Sequence, residues 1–215
     1  PIEYSFDGSE HLEAAHTQGT GCVLLMSHMG NWQVAAHMLK KDLPELPLML
    51  YMGQAQKQQI ERRQKAVLAD AGVRIVAVDE SGGSPFDIVE GVRFLREGGI
   101  VSLTGDRLWR SGQRSVGASL LGRPIQLPEA PYILSLMGGA PLIFFFAFRT
   151  GPGRYHISAS PPHHLKPAGR QERSAAIQAA AQRYADALEA AVRAHPLQWY
   201  HFDPVFKSTA KRSRS

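Results

Sequence analysis

The feature that most constrains the fold is a repeated alternation of short apolar runs with segments of helical periodicity. Such alternation is typical of an α/β protein, in which a layered, mostly parallel or mixed sheet is flanked by helices. A loop is expected at 105–118, and 118–127 is expected to form a short hairpin or an irregular segment. The pattern predicts strands at 21–27, 46–52, 73–78, 100–104, 141–148 and 155–160, and helices at 31–41, 54–71, 84–97, 129–137 and 171–195.

The chain length of 215 residues fits one domain over residues 1–215, with a basic tail at 207–215. No apolar run approaches the roughly 20 residues that a membrane-spanning helix needs. Because Pro1 is not an initiator residue, we expect sequence upstream of it, which leaves room for an N-terminal anchor. Cys22 is the only cysteine, so an intrachain disulfide is excluded, and we expect it to be a small core residue.

The net charge of +5 favours an anionic partner, such as a nucleic acid, a lipid headgroup or an acidic protein. The sequence has no zinc-finger spacing or other nucleic-acid signature, so we expect no nucleic acid. His163 and His164 are adjacent but lack a third ligand at metal-binding spacing, so no metal site is predicted. No phosphate-binding glycine loop and no dinucleotide fingerprint is present, and no cofactor is predicted.

Two apolar runs end in residues that can do chemistry. The first run leads into Ser27 and His28, and another leads into Gly105, Asp106 and Arg107. Because sites of parallel sheets form at the carboxyl ends of strands, we expect His28 and Asp106 to open into one cleft. A histidine placed there can act as a general base, whereas the alternative is a histidine that only caps local backbone.

The stretch His28-Met-Gly-Asn-Trp-Gln33 resembles the His-x-Gly-Asn-Trp-Glu block of the bacterial lipid A late acyltransferases, the lauroyl- and myristoyl-transferase type. These enzymes belong to the glycerolipid acyltransferase superfamily, whose hallmark is a histidine and an acidic residue separated by four positions. Further blocks follow in the family's order, and the resemblance extends from about Gly21 to Phe202. These blocks are Gly105-Asp-Arg107, Leu121-Gly-Arg-Pro124, Gly139-Ala-Pro-Leu-Ile143, Arg149, Tyr155 and Pro196-Leu-Gln-Trp-Tyr200.

The resemblance implies a glycerolipid-acyltransferase-like fold and an acyltransferase activity. A fatty acyl group would move from an acyl carrier protein or CoA thioester, which is a co-substrate rather than a cofactor, to a hydroxyl or amine of a lipid A-type lipid or glycolipid. The place implied is the cytoplasmic face of the bacterial inner membrane, with the protein peripheral or anchored by upstream sequence. The resemblance further implies catalytic roles for His28 and Gln33 and substrate-binding roles for Gly30, Asn31, Asp106, Arg107, Arg110 and Arg149.

Gln33 departs from the family pattern, because it stands where the family has a carboxylate. The chain is then a weak enzyme, a variant that uses another acid, or a protein with an engineered Glu→Gln change. If the chain is a catalyst, Gln33→Glu is predicted to raise its turnover more than about tenfold, because the gained carboxylate would stabilise the imidazolium of His28. Three alternatives stay open: an acyl- or lipid-binding domain with impaired catalysis, an acyltransferase for a small non-lipid acceptor, and a merely local ion pair between Asp106 and Arg107.

Overall fold

The computed structural model of the protein describes residues 2–53, 72–78, 85–108, 112–202 and 204–206. The whole of the predicted helix at 54–71 and the predicted helix start at Ser84 lie outside these ranges. The helices are α1 (Ser9–Thr17), α2 (Trp32–Asp42), α3 (Pro85–Arg96), α4 (Ala130–Gly138) and α5 (Arg173–Ala194), and the strands are β1 (Glu3–Asp7), β2 (Cys22–Met26), β3 (Leu48–Gly53), β4 (Val73–Val78), β5 (Ile100–Thr104), β6 (Ser115–Leu120), β7 (Arg123–Pro128), β8 (Leu142–Gly151) and β9 (Arg154–Ala159).

Seven of the described strands form one sheet in the order β1-β9-β8-β2-β5-β3-β4. Strands β8, β2, β5, β3 and β4 run parallel to one another. Strand β9 is antiparallel to β8, and β1 pairs in parallel with β9, so the two strands at this edge run in the reverse direction. The predicted α/β fold with a mostly parallel, mixed sheet is confirmed.

The strand β2 shows how the sheet organises two apolar layers. Successive side chains of a strand point to opposite faces, and all five residues of β2 are buried. Val23 and Leu25 belong to the core that includes residues of α3, α4 and α5. Leu24 and Met26 belong to a second core with residues of α1 and α2. Because helices cover both faces, the strand is a continuous apolar run rather than an alternating one.

Helix α5 packs along one face of the sheet through a stripe with helical spacing. Ile177, Ala180, Tyr184 and Leu188 are buried on this stripe, as predicted for the helix at 171–195. Two residues of a 3₁₀ turn, Gln171 and Glu172, precede it within the predicted range. None of the helices in the described ranges is long and apolar enough to cross a membrane.

The structure contains an N-terminal strand and helix that the sequence patterns did not predict. Strand β1 is a short edge strand in which exposed and half-buried residues alternate, so it has no apolar run. Helix α1 buries only Leu12 and Ala15. Both elements cover the reversed edge of the sheet, where little apolar surface is needed and the sequence signal is correspondingly weak.

A hairpin of β6 and β7 replaces part of the predicted 105–118 loop. The two strands pair from Ser115 with Pro128 to Leu120 with Arg123. Leu121 and Gly122 form the turn with φ values of 51° and 72°, which is the left-handed pair that a two-residue hairpin favours. The alternative of a hairpin at 118–127 is therefore confirmed, with a start three residues earlier than predicted.

Candidate active site

The pairing of β2 with β5 brings the two polar strand ends together. These parallel neighbours are in register, with Met26 opposite Thr104. Two residues beyond this pair, the chain reaches His28 on one side and Asp106 on the other. The predicted shared position at the carboxyl end of the sheet is confirmed, although 78 residues separate the two side chains in sequence.

Asp106 holds His28 through both of its carboxylate oxygens. Its Oδ1 lies 2.9 Å from the imidazole Nδ1, and its Oδ2 accepts the backbone N–H of His28 at 2.8 Å. The side chain of Asp106 is fully buried, whereas that of His28 is 13% exposed. Because an ionised carboxylate only accepts hydrogen bonds, Nδ1 is assigned the hydrogen, and Nε2 carries the lone pair of the neutral ring.

The segment Gln198 to Tyr200 forms a second support for the same site. The indole Nε1–H of Trp199 donates to Asp106 Oδ2 at 3.0 Å. The backbone N–H of Tyr200 donates to the carbonyl of His28 at 2.8 Å, and the N–H of Gly30 donates to the carbonyl of Gln198 at 2.8 Å. The His28 turn is therefore fixed between β5 on one side and this segment on the other.

The turn after His28 is shaped by Gly30 and Asn31. Gly30 has a φ of 62°, and a Cβ atom there would lie 1.5 Å from the carbonyl oxygen of Ala147, so no larger residue fits. Asn31 Oδ1 accepts the backbone N–H of Val34 at 3.1 Å, which caps the start of α2. Both residues, predicted as substrate contacts, have local structural roles that position His28.

The other predicted site residues are Arg107, Arg149, Gln33 and Arg110. Arg107 follows Asp106 directly and is half-buried. Arg149 is exposed on β8, and its backbone exchanges hydrogen bonds of 2.8 and 2.9 Å with the side-chain amide of Gln198. Gln33 lies in the first turn of α2, but its side chain is outside the described part of the structure, as is the whole of Arg110.

Opposing effects set the charge of Asp106. Burial raises the pKa of its carboxyl group, but the hydrogen bond and charge of His28, the indole N–H of Trp199 and the backbone N–H of His28 together hold the pKa below its ordinary value. Asp106 is therefore an anion at neutral pH. A buried anion against an imidazole stabilises the ring when it takes up a proton.

This charge predicts a pH-dependent contribution to stability. A carboxyl group whose folded pKa lies below its unfolded value of about 3.9 stabilises the protein above that pH, and the contribution is lost as pH falls through the folded pKa. Asp106→Asn is expected to lower the free energy of unfolding at pH 7 by about 1–3 kcal/mol. Urea unfolding should show this difference shrinking towards pH 3. The control Asp186→Asn, at an exposed position of α5, should show little difference at either pH, and a constant Asp106→Asn deficit from pH 7 to pH 3 would contradict the assignment.

The sequence patterns assigned no active-site role to Trp199 or Tyr200, and they placed Tyr184 only among the inward-facing residues of the predicted helix at 171–195. The hydroxyl of Tyr184 donates to the carbonyl of Met26 at 2.8 Å and so fastens the end of β2, two residues before His28. The block at 196–200 was noticed only as part of the resemblance. Its contact with Asp106 could not be predicted, because no local sequence pattern shows which distant residue an indole N–H reaches. Tyr184 was recognised as a core residue of α5, and its hydroxyl gave no separate signal.

Comparison with known proteins places the chain in a family. The family model described as bacterial lipid A biosynthesis acyltransferase matches residues 2–208. Two phosphatidylinositol mannoside acyltransferases of Mycobacterium tuberculosis, from strains ATCC 25618 / H37Rv and CDC 1551 / Oshkosh, are each 24% identical over 208 residues. The alignments cover 96% of this chain and 61% of each relative, so the chain spans about three fifths of their length. The resemblance in the sequence blocks is confirmed, and the chain belongs to the bacterial lipid A biosynthesis acyltransferase family.

Proposed function

We propose that the protein is an acyltransferase that moves a fatty acyl group from a thioester to a hydroxyl or amine of a lipid or glycolipid. The observation that carries this proposal is the pair of His28 and Asp106, held at 2.9 Å at the carboxyl end of the sheet. The carboxylate of Asp106 is shielded from water, whereas the side chain of His28 is partly accessible and can meet a substrate. Family membership supports the same reaction class.

The pair can carry out the transfer by general base catalysis. Nε2 of His28 takes the proton from the acceptor hydroxyl or amine as its oxygen or nitrogen attacks the thioester carbonyl. Asp106 remains ionised and stabilises the imidazolium that forms. When the tetrahedral intermediate collapses, the carbon–sulfur bond breaks, and the imidazolium returns the proton to the leaving thiolate. The transfer in this form needs neither a covalent enzyme intermediate nor an added cofactor.

Asp106 supports one of the three explanations of Gln33, namely a variant that uses another acid. Its carboxylate occupies the Nδ1 side of His28, which is the side from which a charged partner orients the ring and stabilises its protonated form. We therefore propose Asp106, rather than Gln33, as the charged partner of the base. Gln33 then has a secondary role at the start of α2.

The basic surface suits the substrates that the family implies. Arg107, beside Asp106 in sequence, and Arg110 and Arg149 are proposed to bind anionic parts of the donor or acceptor, because guanidinium groups pair well with phosphate. An acidic acyl carrier protein, CoA and anionic headgroups all fit the net charge of +5. A peripheral position on the cytoplasmic face of a bacterial membrane is the corresponding proposal for localisation.

One assay tests the proposal and separates the possible substrates. The protein is incubated with palmitoyl-CoA or palmitoyl acyl carrier protein, and in each case with a phosphatidylinositol mannoside, a lipid A precursor or total bacterial lipid. These acceptors follow from the names of the relatives and of the family. Mass spectrometry should show an acyl group added to at least one lipid, at a rate that depends on His28. Absence of acylated lipid under every condition would refute the proposal.

The same assay distinguishes the alternatives. An impaired binding domain, for which Gln33 is the motivating residue, would retain lipid affinity and release no acylated product. An enzyme for a small soluble acceptor would transfer the acyl group only when such an acceptor is added, and would leave the lipids unmodified. The preserved pair of His28 and Asp106 favours catalysis over binding alone, because a binder has no need for a buried carboxylate against an imidazole.

Trp199 is expected to act as a positioning residue for the base. Trp199→Phe keeps an aromatic ring and removes the N–H that Asp106 Oδ2 accepts. Since a hydrogen bond to a buried charge is worth about 1.5–3 kcal/mol, kcat should fall about 10- to 100-fold with little change in KM for the acceptor. The acidic limb of the pH–rate profile should also move, which a merely structural change would not cause.

The matched control for this substitution is Trp32→Phe. It makes the same chemical change in a tryptophan that packs against the core on the α1 and α2 face of the sheet. The control should keep a kcat close to that of the unmodified protein. A Trp199→Phe protein with unchanged kcat and an unchanged pH–rate profile would show that the indole contact does not position the base.

A further inference from the structure

Large apolar side chains are exposed beside the candidate active site. Six such side chains are exposed among the described residues, and three of them fall between residues 197 and 202. Leu197 is 92% exposed, Phe202 is 87% exposed, and Tyr200 is 50% exposed. Exposed apolar residues are common singly, but three within six positions form a candidate interaction site.

The inner side of this same segment supports the catalytic pair. Trp199 donates to Asp106, and the N–H of Tyr200 donates to the carbonyl of His28. The side chain of Gln198 fastens the segment to the backbone of Arg149 on β8. The exposed side chains therefore belong to a segment that is tied to the site on its inner side, and not to a frayed end.

Positive charge accompanies the exposed side chains. Arg149 is exposed at the point where Gln198 attaches, and the guanidinium of Arg123 lies over the ring of Phe206, 4.4 Å from its centroid. The sequence that follows carries Lys207, Lys211, Arg212 and Arg214 without an acidic residue. Apolar and aromatic side chains next to a basic cluster are the composition that binds the interface of an anionic bilayer.

We propose that Leu197, Tyr200 and Phe202, here called the apolar edge, insert into the interfacial region of an anionic lipid bilayer. Insertion would bring the partly accessible side chain of His28 close to the membrane surface, where a lipid acceptor resides. The biological meaning of this placement rests on the proposed function, but bilayer binding through the apolar edge does not. Aromatic rings and leucine favour the headgroup boundary, and the neighbouring cations favour anionic lipid over neutral lipid.

The test is a vesicle flotation assay on the complete 215-residue chain. Vesicles of phosphatidylcholine mixed with phosphatidylglycerol are compared with vesicles of phosphatidylcholine alone. The unmodified protein should bind the anionic vesicles more tightly, and raised salt should weaken the binding. Leu197→Ser combined with Phe202→Ser should lower the partition coefficient at least about tenfold, because both side chains contribute apolar area to the interface.

The chain offers a matched control for this double substitution. Val89 and Met137 are also exposed, at 61% and 48%, and lie on α3 and α4 in a groove with arginines around it. Val89→Ser combined with Met137→Ser also removes two exposed apolar side chains, at a basic surface that does not include the apolar edge. Vesicle binding by this control should equal that of the unmodified protein.

A spectroscopic variant tests insertion without removing any apolar side chain. Phe202→Trp adds an indole to the apolar edge, and brominated acyl chains in the vesicles should quench its fluorescence beyond the quenching seen in the unmodified protein. No binding of the unmodified protein to anionic vesicles, equal losses in the two double variants, or no added quenching would overturn the proposal. Equal binding by the Leu197→Ser, Phe202→Ser protein would also overturn the proposal, because another surface would then hold the bilayer.

The outcome is separable from that of the proposed function. Vesicle binding through the apolar edge without any acyl transfer would refute the acyltransferase proposal and leave the membrane contact in place. Acyl transfer to dispersed lipid without vesicle binding would refute the membrane contact and leave the acyltransferase proposal in place.

Discussion

His28→Ala is expected to lower the rate of acyl transfer by a factor of about 10²–10⁴, with the fold unchanged. The factor is the usual contribution of a positioned general base, and its removal leaves the acceptor hydroxyl or amine protonated during attack. The side chain lies at a strand end and is partly accessible, so its loss leaves no large cavity in either core. Single-turnover transfer with the thioester donor measures the effect, and circular dichroism checks the fold.

His37→Ala is the matched control for this substitution. His37 lies on the exposed face of α2, where alanine is a good helix former, and transfer should proceed at the unmodified rate. A His28→Ala protein with undiminished transfer would eliminate His28 as the base. A large loss of transfer rate in His37→Ala, without one in His28→Ala, would indicate that His37 is the catalytic histidine.

Asp106→Asn is expected to lower turnover by about 10³–10⁴ while keeping the shape of the side chain. The neutral amide cannot stabilise an imidazolium, and its NH₂ group faces donors that the carboxylate accepts from, so the tautomer and orientation of His28 are lost together. The analogous Asp→Asn change in a serine-protease triad costs about 10⁴. Single-turnover transfer from pH 6 to pH 9 measures the rate and the pH at which the base titrates.

Gln33→Glu provides the comparison that decides which residue supplies the acid. With Asp106 already on Nδ1, a second carboxylate adds little, so the gain should stay below about tenfold. A gain well above tenfold, together with an Asp106→Asn protein of normal rate, would assign the role to position 33 and show Asp106 to be structural. In the Asp106→Asn background, recovery by Gln33→Glu would show that both positions reach the imidazole.

The position of the site was predictable because it depends on strand ends. The apolar runs that became β2 and β5 each stop at a polar residue, and parallel strands place those residues at one edge of the sheet. The sequence could not reveal that β2 and β5 are neighbours and in register, which is what turns proximity into a 2.9 Å contact. Asp106 was therefore expected near His28, but as a substrate contact and not as its hydrogen-bond partner.

Other features escaped prediction because their sequence signals are weak or non-local. Strand β6 is rich in serine and glycine, and it is a strand because β7 pairs with it along its length. Gly30 was expected to let backbone or substrate approach closely, and the structure places the backbone of β8 there. The pairing of β6 with β7 is a tertiary contact that overrides local propensity.

The contact between Trp199 and Asp106 joins residues 93 positions apart, and this has a consequence for how the protein acquires its activity. Residues 198–200 follow every described strand and helix of the sheet and its cover. During synthesis on the ribosome, β2, β5 and α5 have all emerged before the indole that completes the support of the carboxylate. Nascent and C-terminally clipped chains would then carry His28 and Asp106 in an assembled sheet without the indole contact, and the proposed acyl transfer would stay slow until residues 198–200 are in place.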